Sequence, residues 1–394
     1  MKATLIFFLL FSVFCLISSA DELLVPDEYA TIADAVAASA SGDVIRLVSS
    51  EVEWGGPITI ENKNLTIEGA EEFERVVIVI VSTLQFDDDW KPIFDPETKT
   101  LWLMNSRLTL KNIQIAKPVL YFLPGPVTRS HYPSPIVVDT DSSLSIDACS
   151  IRCPFIVEGN LNAVDSELLG YSFVYAPPYN SINHEIPSVL IQNAKNRNYE
   201  FLNTTISDDG YNALELRNLE DCSITVRGNV YGGERTNLTA RNDPSYQGGH
   251  GIYITNCQNI EFFGFTFHGG VCSDFGYAIS GDSVYEDGGH GMFAENSSIH
   301  LLLGSFSGGD SKNGVIVLYW KRDAGNGGDG IHLVNSDVIY DSYSATGGRG
   351  GAGAVTPNDI ANGGQNGDPV WMDDASTFRS INDDVRVANW PLHE

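Results

Sequence analysis

The feature that most constrains the fold of this chain is a repeat of about 40 residues in its last third. Gly248-Gly-His-Gly-Ile-Tyr-Ile-Thr-Asn256 returns as Gly288-Gly-His-Gly-Met-Phe-Ala-Glu-Asn296 and again as Gly327-Gly-Asp-Gly-Ile-His-Leu-Val-Asn335. A degraded fourth copy begins at Gly363. One such unit cannot bury its apolar residues alone, whereas stacked units bury a continuous core. The repeat therefore predicts a solenoid.

Short apolar alternations within each unit predict strands that hydrogen-bond to the equivalent strand of the next coil, about 4.8 Å away. Alternate side chains then face a dry interior or the solvent: Ile252, Ile254, Ile331 and Leu333 inward, Tyr253 and His332 outward. The sequence leaves open whether one repeat forms two short coils or one coil with a long Gly-rich excursion.

Asparagine closes one strand after another, at Asn193, Asn218, Asn256, Asn296 and Asn335. Asparagine tolerates the left-handed conformation that a sharp turn needs, and stacked amides can hydrogen-bond from coil to coil. These positions predict a ladder of turns along one corner of the solenoid.

One short amphipathic helix precedes the strands. Thr31 is a candidate N-cap, with Asp34 in the acidic position of a capping box and apolar residues at helical spacing up to Ala40. Gly42 supplies a stop signal.

The segment from Val25-Pro-Asp-Glu-Tyr-Ala-Thr-Ile32 through Gly42-Asp-Val-Ile-Arg-Leu47 to Leu65-Thr-Ile-Glu-Gly-Ala70 resembles the opening of the pectin-lyase-like superfamily. With the asparagine pattern, this resemblance implies an all-β fold, a single-stranded right-handed parallel β-helix whose first coil is capped by the short helix. It implies no single activity, because the superfamily includes lyases, hydrolases, esterases, epimerases, phage spikes and adhesins. The expected domains are a signal peptide at 1–20 and a β-helix at 21–394, with an N-terminal cap at 21–48 and Gly-rich repeats at 248–368.

The first twenty residues have the composition of a signal peptide. Lys2 precedes an apolar run from Leu5 to Ile17, and Ser18-Ser19-Ala20 offers small residues at a cleavage site. No apolar stretch is long enough to span a bilayer comfortably. These features predict a secreted, extracellular protein, located in the periplasm or on the cell surface if the source is bacterial.

The formal net charge of −28 excludes two classes of partner. Nucleic acid and anionic membrane surfaces attract clusters of Lys and Arg, and this acidic chain repels both. A uronate polymer would also be repelled unless a cation bridged the charges. Four sequons, at Asn64, Asn203, Asn237 and Asn296, predict a glycoprotein in a source that glycosylates such sites.

Five cysteines follow the leader, an odd number, so at least one is unpaired or pairs between chains. Cys149 and Cys153 are near enough in sequence for a local disulfide, as are Cys257 and Cys272. The sequence leaves the connectivity open and shows no zinc-type ligand spacing near these residues.

The candidate catalytic residues are Asp208, Asp209 and His250. The Asp pair and Gly249-His250-Gly251 resemble two polygalacturonase motifs, and glycoside hydrolysis needs two carboxyl groups that flank the scissile bond. The competing interpretation is a turn, because Gly-His-Gly recurs around His290 and becomes Gly-Asp-Gly around Asp329.

The candidate substrate-binding residues are Trp320, Lys321, Arg322 and His290. A lyase acting on uronates needs a basic group to remove the C5 proton, and Trp320 offers a ring on which a sugar could stack. Acidic turns at Asp87–Asp89, Asp373–Asp374 and Asp383–Asp384 make Ca²⁺ a possible cofactor, because Ca²⁺ takes oxygen ligands. The sequence identifies no metal ligands with certainty.

Two functions fit these patterns. The favoured hypothesis is a secreted β-helix that interacts with a polysaccharide or a cell-surface glycan, as a non-catalytic surface or adhesion protein. The alternative is a polysaccharide-degrading enzyme, a lyase or a glycoside hydrolase. The sequence does not fix the oligomeric state.

Overall fold

The computed structural model describes residues 20–80, 99–115, 135–170, 187–208, 211–233, 248–271, 283–284, 287–311, 315–317, 320–356 and 359–381. Several sequence predictions fall outside these ranges: the signal peptide apart from Ala20, Asp87–Asp89, Asp209, Asn237, Cys272 and Asp383–Asp384.

Two long parallel sheets run along the described part of the chain. The second sheet contains one short strand from each coil, and each strand pairs with the next in a single stack. Its ten described strands are β4 (Ile58–Glu61), β7 (Leu101–Met104), β10 (Ile136–Val138), β13 (Phe155–Val157), β16 (Val189–Gln192), β18 (Leu214–Arg217), β20 (Ile252–Thr255), β23 (Met292–Glu295), β27 (Ile331–Val334) and β32 (Val370–Met372).

The first sheet has two short strands per coil at its start, which merge into one long strand in β17, β19, β21 and β24 and separate again at β28 and β29. Its described strands are β1 (Glu22–Val25), β2 (Val44–Leu47), β3 (Glu51–Glu53), β5 (Asn64–Gly69), β6 (Val76–Val79), β8 (Arg107–Lys111), β9 (Ile113–Ile115), β11 (Ser143–Asp147), β12 (Ser150–Arg152), β14 (Asn160–Val164), β15 (Glu167–Leu169), β17 (Asn198–Ser207), β19 (Ser223–Tyr231), β21 (Ile260–His268), β24 (Ser298–Ser307), β28 (Asp337–Tyr340), β29 (Ser344–Thr346) and β33 (Thr377–Ser380).

The aliphatic column predicted from the repeats is present. Ile252 pairs with Met292, and Met292 pairs with Ile331. All three side chains are fully buried, as are Ile254 and Leu333, while Tyr253 and His332 lie on the outer face. The chain is therefore a single-stranded right-handed parallel β-helix, as the sequence predicted.

Each 40-residue repeat forms one coil with an excursion. Equivalent positions in the shortest coil, Ile136 and Phe155, are only 19 residues apart, whereas Ile252 and Met292 are 40 apart. Both pairs are adjacent in the same sheet, so the additional residues lie outside the column. This settles the choice that the repeat left open.

The excursions leave and return at one corner, between the end of a first-sheet strand and the start of a second-sheet strand. Glycine pairs form both stems, and their backbones bond in alternation: Gly270 N–H donates to Gly249 O at 2.7 Å, Gly289 to Gly270 at 2.9 Å and Gly309 to Gly289 at 2.7 Å. A Cβ on Gly289 would lie 2.2 Å from Gly249 O. Glycine is required at this position because only a backbone without side chains fits between the stems.

The excursions of neighbouring coils also pair with each other. The strand β22 (Ser283–Val284) runs parallel to β26 (Trp320–Asp323), which is antiparallel to β25 (Val315–Val317). A further hairpin joins β30 (Ala354–Thr356) to β31 (Asp359–Ala361).

The asparagine turns have the predicted left-handed conformation. The φ angles are 53° at Asn193, Asn218 and Asn256, 50° at Asn296 and 46° at Asn335. The amides also bond along the axis: Asn218 donates to Asn193 at 3.1 Å and Asn335 to Asn296 at 2.8 Å.

The predicted helix is present as α1 (Ile32–Ala38). The backbone N–H of Asp34 donates to Thr31 Oγ1 at 3.1 Å, which confirms Thr31 as the N-cap. The helix buries Ile32, Ala35 and Val36 and contacts β1, β2 and β4 at the start of the column.

The local disulfide between Cys149 and Cys153 that the sequence left open is not formed. Cys149 is a free thiol inside the core, and its Sγ lies 3.1 Å from Asp147 O. Cys222 and Cys257 are also free and buried. Burial raises the pKa of Cys257 to about 12, so the thiol stays protonated and packs as a small apolar group.

Candidate functional site

The outer face of the second sheet changes its chemistry along the solenoid. One outward position per coil lies in register from end to end: Thr59, Trp102, Val137, Ile156, Leu190, Glu215, Tyr253, Phe293, His332 and Trp371. The middle coils carry aliphatic residues there, and the last four described coils carry aromatic or imidazole rings. These four residues, Tyr253, Phe293, His332 and Trp371, are called the ring row below.

The rings of this row stack on one another. The ring centroids of Tyr253 and Phe293 are 5.1 Å apart, those of Phe293 and His332 5.0 Å, and those of His332 and Trp371 4.0 Å. The planes are within 13° of parallel in all three pairs. The side chains of Tyr253, Phe293 and His332 are partly exposed, and Trp371 is 38% exposed. The result is a continuous strip of rings over four coils.

A second row lies beside the ring row, at the turn that precedes each strand. In this turn ladder, each side chain accepts the backbone N–H of the equivalent residue one coil further on. His250 N donates to Asn212 Oδ1 at 2.9 Å, His290 N to His250 Nδ1 at 3.0 Å, Asp329 N to His290 Nδ1 at 2.8 Å and Asp368 N to Asp329 Oδ1 at 2.7 Å. The Gly-His-Gly motif thus holds successive coils in register.

His250, a predicted catalytic residue, is a member of this ladder. Its Nδ1 accepts a backbone N–H, so in this arrangement a neutral ring carries its proton on Nε2. The ring lies 5.0 Å from that of His290 and 5.2 Å from that of Phe293. These contacts are the ones that the turn interpretation requires, and the catalytic role stays a prediction.

Asp208, the second predicted catalytic residue, is 7% exposed and also supports a turn. Its Oδ1 accepts the backbone N–H of Tyr211 at 2.7 Å, and its Oδ2 accepts the Ser188 hydroxyl at 3.1 Å. The turn leads directly into Asn212, the partner of His250, so Asp208 and His250 belong to the same corner. Asp209 lies outside the described residues, so its separation from Asp208 is not defined.

The predicted substrate-binding residues separate into two places. His290 lies in the turn ladder beside the ring row and is 5% exposed. The backbone of Trp320, Lys321 and Arg322 forms β26 in the small excursion sheet, which is distinct from the second sheet. The structure therefore associates only His290 with the ring row.

Three potential metal ligands meet where the two rows converge. His332 Nδ1 lies 2.7 Å from Asp329 Oδ2, and His290 Nδ1 lies 3.4 Å from the same oxygen. Within the part of the chain that the structure describes, this is the one group of three His, Cys, Asp or Glu residues whose ligand atoms all lie within 4.8 Å.

The electrostatics of this group favour a neutral imidazole and an ionised carboxylate. Burial holds the pKa of His290 well below its ordinary value, and the neighbouring His250 and His332 lower it further. Burial alone would raise the pKa of Asp329, but hydrogen bonds from His332 and from the Asp368 backbone bring it below its usual value.

Carboxylates flank the ring row. The hydroxyl of Tyr253 donates a hydrogen bond to Glu295 Oε2 at 3.2 Å. Burial, the larger cause, and the charge of Glu295, the second cause, raise the pKa of Tyr253 to about 12. Glu215 is buried at the start of the row and forms an ion pair with Arg217. The row is therefore apolar along its length and acidic at its edges.

The acidic turn at Asp373–Asp374 was a candidate Ca²⁺ site. The carboxylate of Asp373 accepts the Ser376 hydroxyl and the Asn335 N–H, the latter at 3.1 Å, and these bonds lower the pKa of Asp373. Asp373 thus continues the turn architecture, and the Ca²⁺ prediction stays untested.

A groove of about 430 Å³ lies on the other side of the glycine corner. The rings of Tyr231 and His268 stack there at 4.9 Å, and His268 Nδ1 lies 2.6 Å from Ser307 Oγ. Glycine backbone and Asp310 complete its lining.

The sequence analysis missed Phe293 and Trp371 as members of the row, and it missed the grouping of Asp329 with His332. A signal for the grouping exists in the repeat. The third copy replaces the turn histidine by Asp329 and, three residues later, replaces an aromatic residue by His332. Two departures from the repeat that occur together, and that place two side chains in contact, indicate that this coil needs both residues at this place.

No protein-family model and no curated protein matches the sequence. No described helix is long and apolar enough to cross a membrane.

Among solved structures, a pectin methylesterase in complex with a hexasaccharide is 13% identical and has a TM-score of 0.31, with 72% of this chain and 80% of that chain covered. A periplasmic alginate epimerase is 9% identical, with a TM-score of 0.28 and coverages of 84% and 77%. A surface adhesin of Streptococcus pneumoniae is 7% identical, with a TM-score of 0.26 and coverages of 89% and 89%. These TM-scores are low, and the strand pairing described above carries the fold assignment.

Proposed function

We propose that this chain is an exported glycan-binding protein, and that the ring row on the outer face of its C-terminal coils binds a linear polysaccharide. The observation that carries the proposal is the continuity of that row. Four rings in register, with centroids 4.0–5.1 Å apart, stand where the middle coils have aliphatic residues.

The composition of the row suits a sugar chain. Pyranose rings present apolar C–H groups, which pack against aromatic rings, and polar hydroxyls, which need hydrogen-bond acceptors. The rings stack face to face along the axis, so their outward edges and the far face of Trp371, the last ring of the row, supply the apolar surface. Glu295 and Asp329 supply acceptors beside it. Trp371 is the most exposed ring of the four and is the expected anchor.

The spacing of the row favours an extended polymer. Successive coils rise by about 4.8 Å, the strand separation of a sheet. This rise is comparable to the length of one pyranose unit in an extended chain. A linear glycan parallel to the solenoid axis would then meet the edge of one ring per sugar.

The charge favours a neutral glycan. The net charge of −28 and the carboxylates beside the row repel uronates. A neutral polymer avoids this repulsion, and its hydroxyls can donate to the carboxylates.

The direct test is a glycan-binding assay with neutral, acidic and amino polysaccharides, followed by substitutions in the row. Trp371→Ala and Phe293→Ala should each weaken binding at least about tenfold, or about 1.4 kcal/mol. Trp102→Ala is the matched control, since Trp102 holds the same outward position in an early coil, where Lys99 covers its ring. Equal affinity of all three variants and the unsubstituted protein would refute the proposed site, and no binding to any glycan would refute the function.

A second candidate function is a polysaccharide-degrading enzyme, and one observation favours it. The carboxylate of Asp329 lies 2.7 Å from Nδ1 of the partly exposed His332, an arrangement that orients an imidazole for proton transfer through Nε2. Incubation with the same glycans should then release oligosaccharides, and His332→Gln should abolish the release. Binding without any product would leave the non-catalytic function as the answer.

Export rests on the sequence of residues 1–20 and is part of the proposal. Expression of the full chain in a secreting host should give an extracellular protein that begins at Asp21. Retention inside the cell with an intact leader would contradict it.

A further inference from the structure

The convergence of His290, Asp329 and His332 depends on two departures from the repeat. The turn ladder has histidine in the coils of His250 and His290 and aspartate in the next, at Asp329. The outward strand position has rings without ligand atoms at Phe293 and an imidazole at His332. Only the junction between these two coils therefore combines two imidazoles with a carboxylate among the described coils.

The distances in this group resemble those between the ligands of one ion. Donor atoms that bind a tetrahedral ion at about 2.0–2.2 Å are separated by roughly 3.3 Å. Asp329 Oδ2 lies 2.7 Å from His332 Nδ1 and 3.4 Å from His290 Nδ1. The other carboxylate oxygen of Asp329 accepts the Asp368 N–H at 2.7 Å, which fixes the orientation of Oδ2. Such a fixed carboxylate is an effective ligand because its second shell is satisfied.

A second observation concerns the most buried member. His290 Nε2 is buried and has no hydrogen-bond partner within the described structure. Buried polar atoms are paired in nearly all proteins, because an unpaired one carries its full desolvation cost. Because Nδ1 of this ring accepts the Asp329 N–H at 2.8 Å, the neutral ring carries its proton on Nε2 and leaves that donor unpaired. The ring can bind an ion through Nδ1 when the Asp329 N–H is released.

We propose that His290, Asp329 and His332 bind one divalent transition-metal ion of the Zn²⁺ class, at the junction of two coils on the outer face of the second sheet. Imidazole and carboxylate suit Zn²⁺, Co²⁺ and Ni²⁺, whereas Ca²⁺ requires six to eight oxygen ligands. Three protein ligands leave an open position for water or for a ligand hydroxyl. The ion would lie beside the ring row.

Binding changes local contacts in a defined way. The bond between His332 and Asp329 and the bond from the Asp329 N–H to His290 Nδ1 are replaced by bonds from the three side chains to the metal. The rings of His290 and His332, now stacked with centroids 4.3 Å apart and planes 26° from parallel, tilt toward the ion. The net charge of the chain attracts the cation. The inference goes beyond glycan binding and does not depend on it.

The test uses the whole exported chain after dialysis against a chelator, titrated with ZnCl₂ by calorimetry and with CoCl₂ by visible absorption. We expect one ion per chain with micromolar or tighter affinity, and Co²⁺ bands typical of low coordination number. Asp329→Asn and His332→Phe should each weaken binding at least about 100-fold, because loss of a ligand costs no less than loss of an outer-shell partner. The phenylalanine variant restores the residue type of Phe293, so the stacked row and the fold are retained.

The matched control is His268→Gln, which removes a partly buried histidine that bonds Ser307 in the groove beyond the glycine corner. Zn²⁺ affinity should be unchanged in this variant. The inference is overturned if the unsubstituted chain binds none of these ions, or if Asp329→Asn and His332→Phe bind them as it does. Neither titration contains a glycan, so the result is independent of the glycan-binding assay.

Discussion

The early coils, from β4 to β16, and the late coils, from β18 to β32, share an interior and differ in their exterior. In the inward row, Ile60 of the first described coil and Ile254 of a late coil are both fully buried. In the outward row, the early half has Thr59, Trp102, Val137, Ile156 and Leu190, and the late half has Glu215 followed by the ring row. Fold and candidate function therefore lie on alternate residues of the same strands.

Among the residues that the structure describes, the two halves also differ at the excursion corner. The glycine ladder begins at Gly233 and joins the stems of the late coils up to Gly367. The shortest early coil passes from Ile136 to Phe155 without an excursion. The late half thus presents both a ring row and an ordered set of stems beside it, which is why the candidate site lies there.

The largest expected effect is on the free energy of unfolding, and its measurement tests whether the shared interior makes the two halves one folding unit. Ile60→Ala and Ile254→Ala remove the same buried side chain from the same inward row and should each lower the free energy of unfolding by about 2–5 kcal/mol. Denaturant unfolding followed by fluorescence and circular dichroism should show one transition for both variants. Two separate transitions would show that the halves unfold independently, as weakly coupled repeats can.

The next largest effect is a loss of stability on substitution of a stem glycine in the late half. Gly289→Ala places a methyl group 2.2 Å from Gly249 O, within a stem that cannot move without disturbing its neighbours. We expect a loss of about 1–3 kcal/mol in thermal or chemical unfolding. Gly363→Ala is the control, because its added Cβ would come no closer than 3.2 Å to any neighbour. Equal stability of the two variants would show that the stems are not tightly packed.

The asparagine turns should respond alike in the two halves. Asn105 and Asn335 both have φ of 46°, and each donates its amide to the asparagine of the preceding coil, at 2.6 Å and 2.8 Å. Replacement of either by Ala should cost about 1–2 kcal/mol, since alanine disfavours the left-handed conformation. Asn→Gly at the same sites separates conformation from hydrogen bonding, because glycine adopts this φ freely. A large loss in the glycine variants would assign the effect to the amide ladder.

The smallest effect concerns pH. Among the described residues all the histidines lie in the late half, and burial lowers the pKa of His268 below its ordinary value. The unfolded chain therefore binds a proton more readily, so this residue lowers stability as pH falls through about 6.5, and its effect is absent at higher pH. His268→Gln should flatten the decrease of the unfolding midpoint between pH 7 and pH 5. An unchanged slope would show that the decrease comes from other groups.

The sequence predicted the parts of the fold that have a local physical cause. Inward Ile252 and Ile331 follow from alternation, Asn335 from the left-handed turn, and Thr31 from the capping rule. The number of coils per repeat could not be predicted, because glycine stems and glycine turns have the same composition. The pairing of Cys149 with Cys153 stayed open because sequence proximity does not show that Cys149 packs into the core as a free thiol.

The candidate site was harder to predict, since it depends on register. Phe293 and Trp371 join a row only when Met292 is known to lie over Ile252 and Val370 over Ile331. His290 was predicted as a site residue from its motif, but its neighbours Asp329 and His332 belong to the next coil. Asp208 and His250 matched a catalytic motif in sequence, and the structure shows which turn contacts that motif makes.

The position of the excursions at a single corner has an evolutionary consequence. A coil of 19 residues and one of 40 add the same one strand to the second sheet, so insertion length is uncoupled from strand pairing. Segments can therefore be lengthened, shortened or exchanged at this corner while every inward residue keeps its neighbours. The solenoid can acquire new surface chemistry at one edge without redesign of the scaffold that presents it.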